Sequence, residues 1–339
     1  MMSARSALIE PFLAVEMSER AEDLERRGID VVHLEFGEPD FEAPAVVRDA
    51  AEKAPAMLLL FGHLLDAGDE VVLSDPYYAC YPNFIRYAGG VPATVGITGH
   101  DGFQLRADAV AGRIGARTKA ILINSPSNPT GTVLAPDSLR GIAALGGKGG
   151  PVIVSDEIYH GLTYEGRDRT ILEFTDHAFV LNGFSKAYAM TGWRLGYLIA
   201  PADHVRALQK AFGNFFISTN EFVQWGGVAA LREAGEDSRR FRAIFDERRH
   251  AMVAGLRALG LGVEHEPTGA FYVLADARRF SADSRQLALE LLERCHVAVT
   301  PGIAFGDNAE GYLRFSYAAS LERIQEGLAR LGPFLAGPR

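Results

Sequence analysis

Short apolar segments rich in valine, isoleucine and leucine, each running into a polar residue, a glycine or a proline, constrain this chain more than anything else in it. They occupy residues 70–73, 119–123, 152–155, 179–181 and 195–200. Continuous apolar runs of this length read as strands buried on both faces. Helix-like stretches lie between several of them, including Pro136–Leu145, where Asp137 sits as the expected N-terminal cap. Strands alternating with helices predict an α/β fold built on a mostly parallel, doubly wound sheet.

After residue 200 the pattern changes. Residues 238–259 carry Phe241, Ile244, Phe245, Met252, Leu256 and Leu259 at three- and four-residue spacings, one apolar stripe on a long helix. Arg239, Arg240, Arg248 and Arg249 are expected on its solvated face. Beyond it, 270–274 and 313–317 read as strands and 285–294 and 321–331 as helices, a smaller α+β unit. A single core seldom grows to fill 339 residues, so two lobes with a cleft between them are expected. The division predicted is a large cofactor-binding domain over 41–235 and a small domain from 1–40 and 236–339. Residues 146–150 read as a glycine-rich loop.

Charge and cysteine content remove several function classes. Lys and Arg number 34 against 43 Asp and Glu, for a net charge of -9 with no long basic run, which argues against a nucleic-acid partner. Cys80 and Cys295 are too few for a disulfide framework and lack zinc-binding spacing, so no metal is expected and reducing cytoplasm is the expected compartment. No apolar run reaches the length of a membrane span, and the N-terminus lacks the apolar core of a secretion signal. The P-loop, HExxH, GxSxG and dinucleotide-binding patterns are absent.

What remains is a set of polar segments placed just after the buried strands, where open α/β sheets build sites. Ser127-Asn128-Pro129-Thr130-Gly131 follows the second run and Asp156-Glu157-Ile158-Tyr159 the third. Gly183-Phe184-Ser185-Lys186 follows the fourth and continues to Thr191-Gly192-Trp193-Arg194-Leu195-Gly196. Singly these are turn punctuation, a helix cap and surface cations. His160, Cys80 and Trp193 are most simply packing residues. The ordered combination carries the information.

That combination resembles the class I/II aminotransferases, fold-type I enzymes that use pyridoxal phosphate. The other matching segments are Glu38-Pro39-Asp40-Phe41, Asp75-Pro76-Tyr77-Tyr78 and Leu313-Arg314-Phe315-Ser316, and together they span residues 35–317 in family order. The resemblance implies that Lys186 holds the cofactor as an imine and later moves the substrate Cα proton. It implies that Asp156 pairs with the pyridine nitrogen, that Tyr159 and Asn128 hydrogen-bond the ring oxygen, and that Tyr78 stacks on the ring. Arg194 and Ser185 would hold the phosphate. Arg314, with Asn128 and the Gly37 amide, would clamp the substrate carboxylate and orient Cα.

The implied activity moves an amino group between an α-amino acid and a 2-oxo acid. A β-lyase with the same apparatus, or a non-catalytic effector-binding relative, are the alternatives. A homodimer is expected. Two departures from the family stand out. Gly183 occupies a position three before the lysine that is a hydroxyl residue in many relatives. Between about Glu52 and Pro55, some tens of family residues are missing, among them a phosphate-cradling turn and a tyrosine offered to the neighbouring subunit. Either the natural protein has that segment, the reading favoured by the intact catalytic set, or the chain lacks it and holds cofactor poorly. A chain break there is expected on the first reading and a continuous peptide on the second. The substrate stays open among aspartate, alanine, aromatic and branched-chain acids.

Overall fold

The computed structural model describes residues 7–41, 56–147 and 149–337. Helix α1 (Leu13–Arg26) leads into the short strand β1 (Val32–His33), and then come α2 (Ala56–Leu64), β2 (Glu70–Asp75), α3 (Tyr81–Tyr87) and β3 (Val91–Gly96). Next are α4 (Ala107–Ala111), β4 (Thr118–Asn124), α5 (Pro136–Leu145), β5 (Val152–Asp156), β6 (Ala178–Gly183) and β7 (Gly196–Ile199). Strands β2 to β7 form one sheet in the order β3-β2-β4-β5-β6-β7, with every neighbouring pair parallel except β6–β7. This is the predicted α/β sheet. Chain order reverses between β2 and β4, and Asp75, Asn124 and Asp156 stand at the ends of β2, β4 and β5, where such a reversal opens a crevice.

Strands β4, β5 and β6 are almost wholly buried, as continuous apolar runs require. The last run departs from expectation. Strand β7 closes the sheet as an antiparallel edge with Tyr197 and Ile199 each 42% exposed, because no described strand pairs with its outer side. Strand β3 was not among the apolar runs, since Pro92 and Thr94 interrupt its hydrophobicity. Asp137 does not cap α5 either. Ala135 holds the N-cap position without a side-chain bond, while Asp137 lies in the first turn and pairs with Arg140 at 2.6 Å.

The rest of the chain adds α6 (Ala202–Phe215), α7 (Glu221–Glu233), the long α8 (Gly235–Ala258), β8 (Tyr272–Asp276), α9 (Ser284–Cys295), β9 (Val297–Ala298), β10 (Thr300–Pro301), β11 (Tyr312–Ser316) and α10 (Leu321–Ala336). Strands β10-β11-β8 make an antiparallel sheet, and β1 pairs parallel with β9, so the N-terminal segment joins the C-terminal one. Met17, Leu24 and Leu34 from the first forty residues share one core with Phe245, Phe315 and Ile324. Among the described residues no helix is long and apolar enough to cross a membrane.

The arginines of α8 split into two pairs. Arg239 and Arg240 are solvated, but Arg248 and Arg249 are buried, contrary to expectation. The second pair lies about two and a half helical turns further on, which rotates it to the opposite face. Arg248 donates to both carboxylate oxygens of Asp40, at 2.6 and 2.9 Å, and to the Ala318 carbonyl. Arg249 donates to Asp246, Glu165 and the Pro267 carbonyl. Cys80 is only half-buried, at the N-terminal flank of α3, and is not the enclosed filler expected.

Candidate active site

Three strand ends converge on one cavity of about 490 Å³. At the end of β4, Asn124 donates from its amide to the Asp156 carbonyl at 3.0 Å and accepts from the Asn128 amide at 2.9 Å. It thereby fixes the loop after β4 against the end of β5. Asp156 accepts from the Tyr81 hydroxyl at 2.7 Å and from the Ile158 amide at 3.1 Å. Burial nevertheless pushes its carboxyl up to about 6, against the opposing pull of those two bonds.

Lys186 enters from the loop after β6, and its Nζ donates to the Gly37 carbonyl at 2.7 Å. Burial lowers its pKa to about 8, with Arg194 and Arg314 acting in the same direction and Glu38 and Asp156 opposing. Gly37 has to be glycine, since a Cβ there would overlap the Tyr272 hydroxyl. The structure thus brings the Gly37 carbonyl to the lysine, whereas the sequence had singled out its amide.

The opposite wall is built on β11. Arg314 is buried, and it donates to Asn128 Oδ1 at 2.9 Å, to Thr300 Oγ1 at 3.1 Å and to the Glu35 carbonyl. Its guanidinium lies 4.4 Å from the centre of the Tyr272 ring, and its Nε has no hydrogen-bond partner. Burial lowers its pKa. Tyr159 and Tyr272 share a hydroxyl–hydroxyl bond of 3.0 Å, and burial holds the Tyr159 phenol well above its ordinary value. Tyr78 stands edge-on to Tyr81, with ring centres 5.3 Å apart, and presents its ring to the cavity.

Ser185, Thr191 and Arg194 line the remaining end. The Thr191 hydroxyl donates to the Ser185 carbonyl at 3.0 Å, and exposed Arg194, at φ 53°, donates to the Thr191 carbonyl at 2.9 Å. Ala56 and Met57, which open α2, also face this cavity. Gly183 has a steric explanation. A Cβ there would stand 2.9 Å from the Leu195 carbonyl, so the β6–β7 junction leaves too little room for a side chain unless the backbone shifts. The join between Glu52 and Pro55 lies outside the described residues, as do residues 42–51.

All nine residues singled out from sequence line this one cavity: Gly37, Tyr78, Asn128, Asp156, Tyr159, Ser185, Lys186, Arg194 and Arg314. His160 lies apart from it, 3.4 Å from Glu157. Sequence reasoning missed Tyr81, Asn124, Tyr272, Phe12 and Phe36. Asn124 carried a signal, a polar residue closing an apolar run. Tyr272 and Phe12 carried none, since each reaches the cavity from an element remote in sequence.

The family model for aminotransferase class I and II matches residues 31–331. The (5-formylfuran-3-yl)methyl phosphate transaminase of Methanocaldococcus jannaschii is 34% identical over 99% of this chain and 100% of its own length. The aspartate/prephenate aminotransferase of Thermus thermophilus is 34% identical over 98% of each chain. A solved structure of Thermus thermophilus aspartate aminotransferase with maleate superposes with a TM-score of 0.92, at 34% identity, covering 98% of this chain and 99% of that one. The alignment to the Methanocaldococcus enzyme runs over 386 positions against 339 residues here, so that relative carries several tens of residues with no counterpart in this chain. This agrees with the shortfall read from the sequence without locating it.

Proposed function

The chain belongs to the class I and II aminotransferases, and from that premise we propose how its own residues carry transamination. The reaction moves an amino group between an α-amino acid and a 2-oxo acid. The reading rests on one observation: a half-buried amine, a half-buried carboxylate and a buried guanidinium face a single cavity.

The donor set suits pyridoxal phosphate. Lys186 is the attachment point, Asp156 the partner of the pyridine nitrogen, Tyr159 and Asn128 the donors to the ring oxygen, and Tyr78 the stacking face. Ser185 and Arg194 serve the phosphate. When bound, the cofactor supplies an electron sink that makes the substrate Cα proton removable.

The remaining work belongs to the protein. Asn128 holds one Nη of Arg314, Thr300 and the Glu35 carbonyl hold the other, and the Tyr272 ring lies against the guanidinium, so the cation is fixed in the cavity wall to receive a carboxylate. Anchoring that carboxylate fixes Cα relative to Lys186, whose lowered pKa leaves a useful fraction of neutral amine near pH 8 to take and return the proton. The Asp156 carboxyl, raised by burial, would be drawn to its charged form by a protonated ring nitrogen once the cofactor is held there.

The domain division at residues 41 and 235, and a homodimer with sites near its interface, belong to the same proposal. Phe215 and Ile217 at the end of α6 are 73% and 84% exposed, and Trp225 on α7 is 65% exposed, an apolar surface of the kind a partner subunit covers. Replacing Asp156 tests the chemistry. Asp156→Ala is expected to retain borohydride-trappable cofactor while exchange of the amino-acid Cα hydrogen with D2O falls at least about a hundredfold. Exchange at the wild-type rate would remove Asp156 from the mechanism.

A further inference from the structure

Two carbonyls of one short stretch of chain hold two cations of the site. The Glu35 carbonyl accepts from Arg314 and, at 3.0 Å, from the Thr300 hydroxyl, while the Gly37 carbonyl accepts from Lys186. The stretch enters from β1, where the Leu34 amide donates to the Ala298 carbonyl at 2.9 Å and the Leu34 carbonyl accepts from the Ser316 amide at 2.8 Å. Its far end rests on Tyr272, which leaves no space for a Cβ on Gly37.

Between these two anchors stands a charged pair. Glu35 is wholly buried, and its Oε1 lies 2.8 Å from His33 Nδ1. Two residues apart along an extended chain, the two side chains share a face. His33 Nε2 lies 3.2 Å from Glu25 on α1, so both ring nitrogens meet carboxylates, and the His33 pKa is raised to about 9, chiefly by Glu35. Among the described residues Glu35 Oε2 has no hydrogen-bond partner, so His33 supplies the neutralising contact.

A carboxylate taken fully out of water is costly unless it is paired, which makes the seat of Glu35 depend on His33. The carbonyl of that same residue holds Arg314. The Glu35 charge is also near enough to Arg314 to favour its protonated form. Neither His33 nor Glu35 lines the cavity, so any influence on the reaction passes through the groups that do.

We infer that His33 and Glu35 are positioning residues for transamination: their ion pair seats the Glu35 carbonyl and, through it, the Arg314 guanidinium that receives the substrate carboxylate. This rests on the transaminase reading above. Loss of the pair frees the Arg314 end of the stretch more than the Lys186 end, because Gly37 keeps its own support on Tyr272. The effect therefore falls on KM.

The test sets cofactor-loaded His33→Ala and Glu35→Gln beside the wild type and follows the cofactor absorbance as L-aspartate, L-alanine, L-phenylalanine or L-leucine is added. For the amino acid that responds best, KM is expected to rise about tenfold in each variant with kcat within about threefold, on the order of one charge-assisted hydrogen bond lost or exchanged for a neutral one. Borohydride is expected to label Lys186 in both variants as in the wild type. Glu35→Gln leaves no buried charge behind, so it decides the matter if His33→Ala does not fold. A pair that only tied β1 to α1 would lower the urea midpoint and leave KM in place. KM unchanged in either folded variant, or a rise in KM accompanied by loss of the Lys186 label, overturns the inference and leaves the transaminase reading standing. A wild type that responds to none of the four amino acids overturns that reading and the inference with it.

Discussion

Lys186 is the residue on which the chemistry turns, and its surroundings predict a pH dependence. Its pKa is lowered to about 8 in the folded chain, chiefly by burial, so the amine loses its proton well below the usual lysine range. Only the neutral amine attacks an aldehyde. The rate at which cofactor-free protein captures pyridoxal phosphate is therefore expected to rise with pH and level off just above 8, as stopped-flow absorbance would show. A rate still climbing between pH 9 and 10 would contradict the burial argument. Lys186, Asp156, Asn128 and Arg314 were legible in the sequence because each sits in a short motif of distinctive chemistry. Tyr81 was not: its bond to Asp156 spans 75 residues and depends on how α3 packs against the sheet. Tyr272 was hidden in the same way, as one apolar residue among several on a buried strand.

At the scale of elements, apolar periodicity located strands β2, β4, β5, β6 and β7 and the long helix α8, because burial on both faces and an apolar helical stripe leave direct traces in sequence. Burial of polar groups leaves no such trace. Arg248 and Arg249 look like surface charges until the fold supplies Asp40, Glu165 and the Pro267 carbonyl. Arg248 couples α8 to the segment just after Glu38, so Arg248→Ala is expected to cost about 2–3 kcal/mol. That is the low end for a broken buried pair, because Asp40 keeps partial access to water. Urea unfolding measures it: a lower midpoint with an unchanged slope is predicted, and an unchanged midpoint would mean the pair contributes nothing net. The edge position of β7 was equally hidden, since its sequence reads as apolar as its neighbours. An edge is a property of what lies alongside.

The whole molecule joins a doubly wound sheet to a unit in which the first forty residues and the last hundred share one core, and the cavity lies where Gly37, Lys186 and Arg314 meet. The exposed aromatic surface around Phe215 and Trp225 predicts a dimer. Light scattering at micromolar concentration is expected to return about twice the 36.7 kDa chain mass, with Trp225→Glu shifting it toward monomer. A wild-type monomer would contradict that assignment. The central claim, that Lys186 carries pyridoxal phosphate, is tested most directly by adding the cofactor, reducing with borohydride and mapping the modified lysine by mass spectrometry. The account predicts a visible absorbance band that reduction abolishes, with the label on Lys186, and neither in a folded Lys186→Ala variant. Label on another lysine, or no band at saturating cofactor, would contradict it.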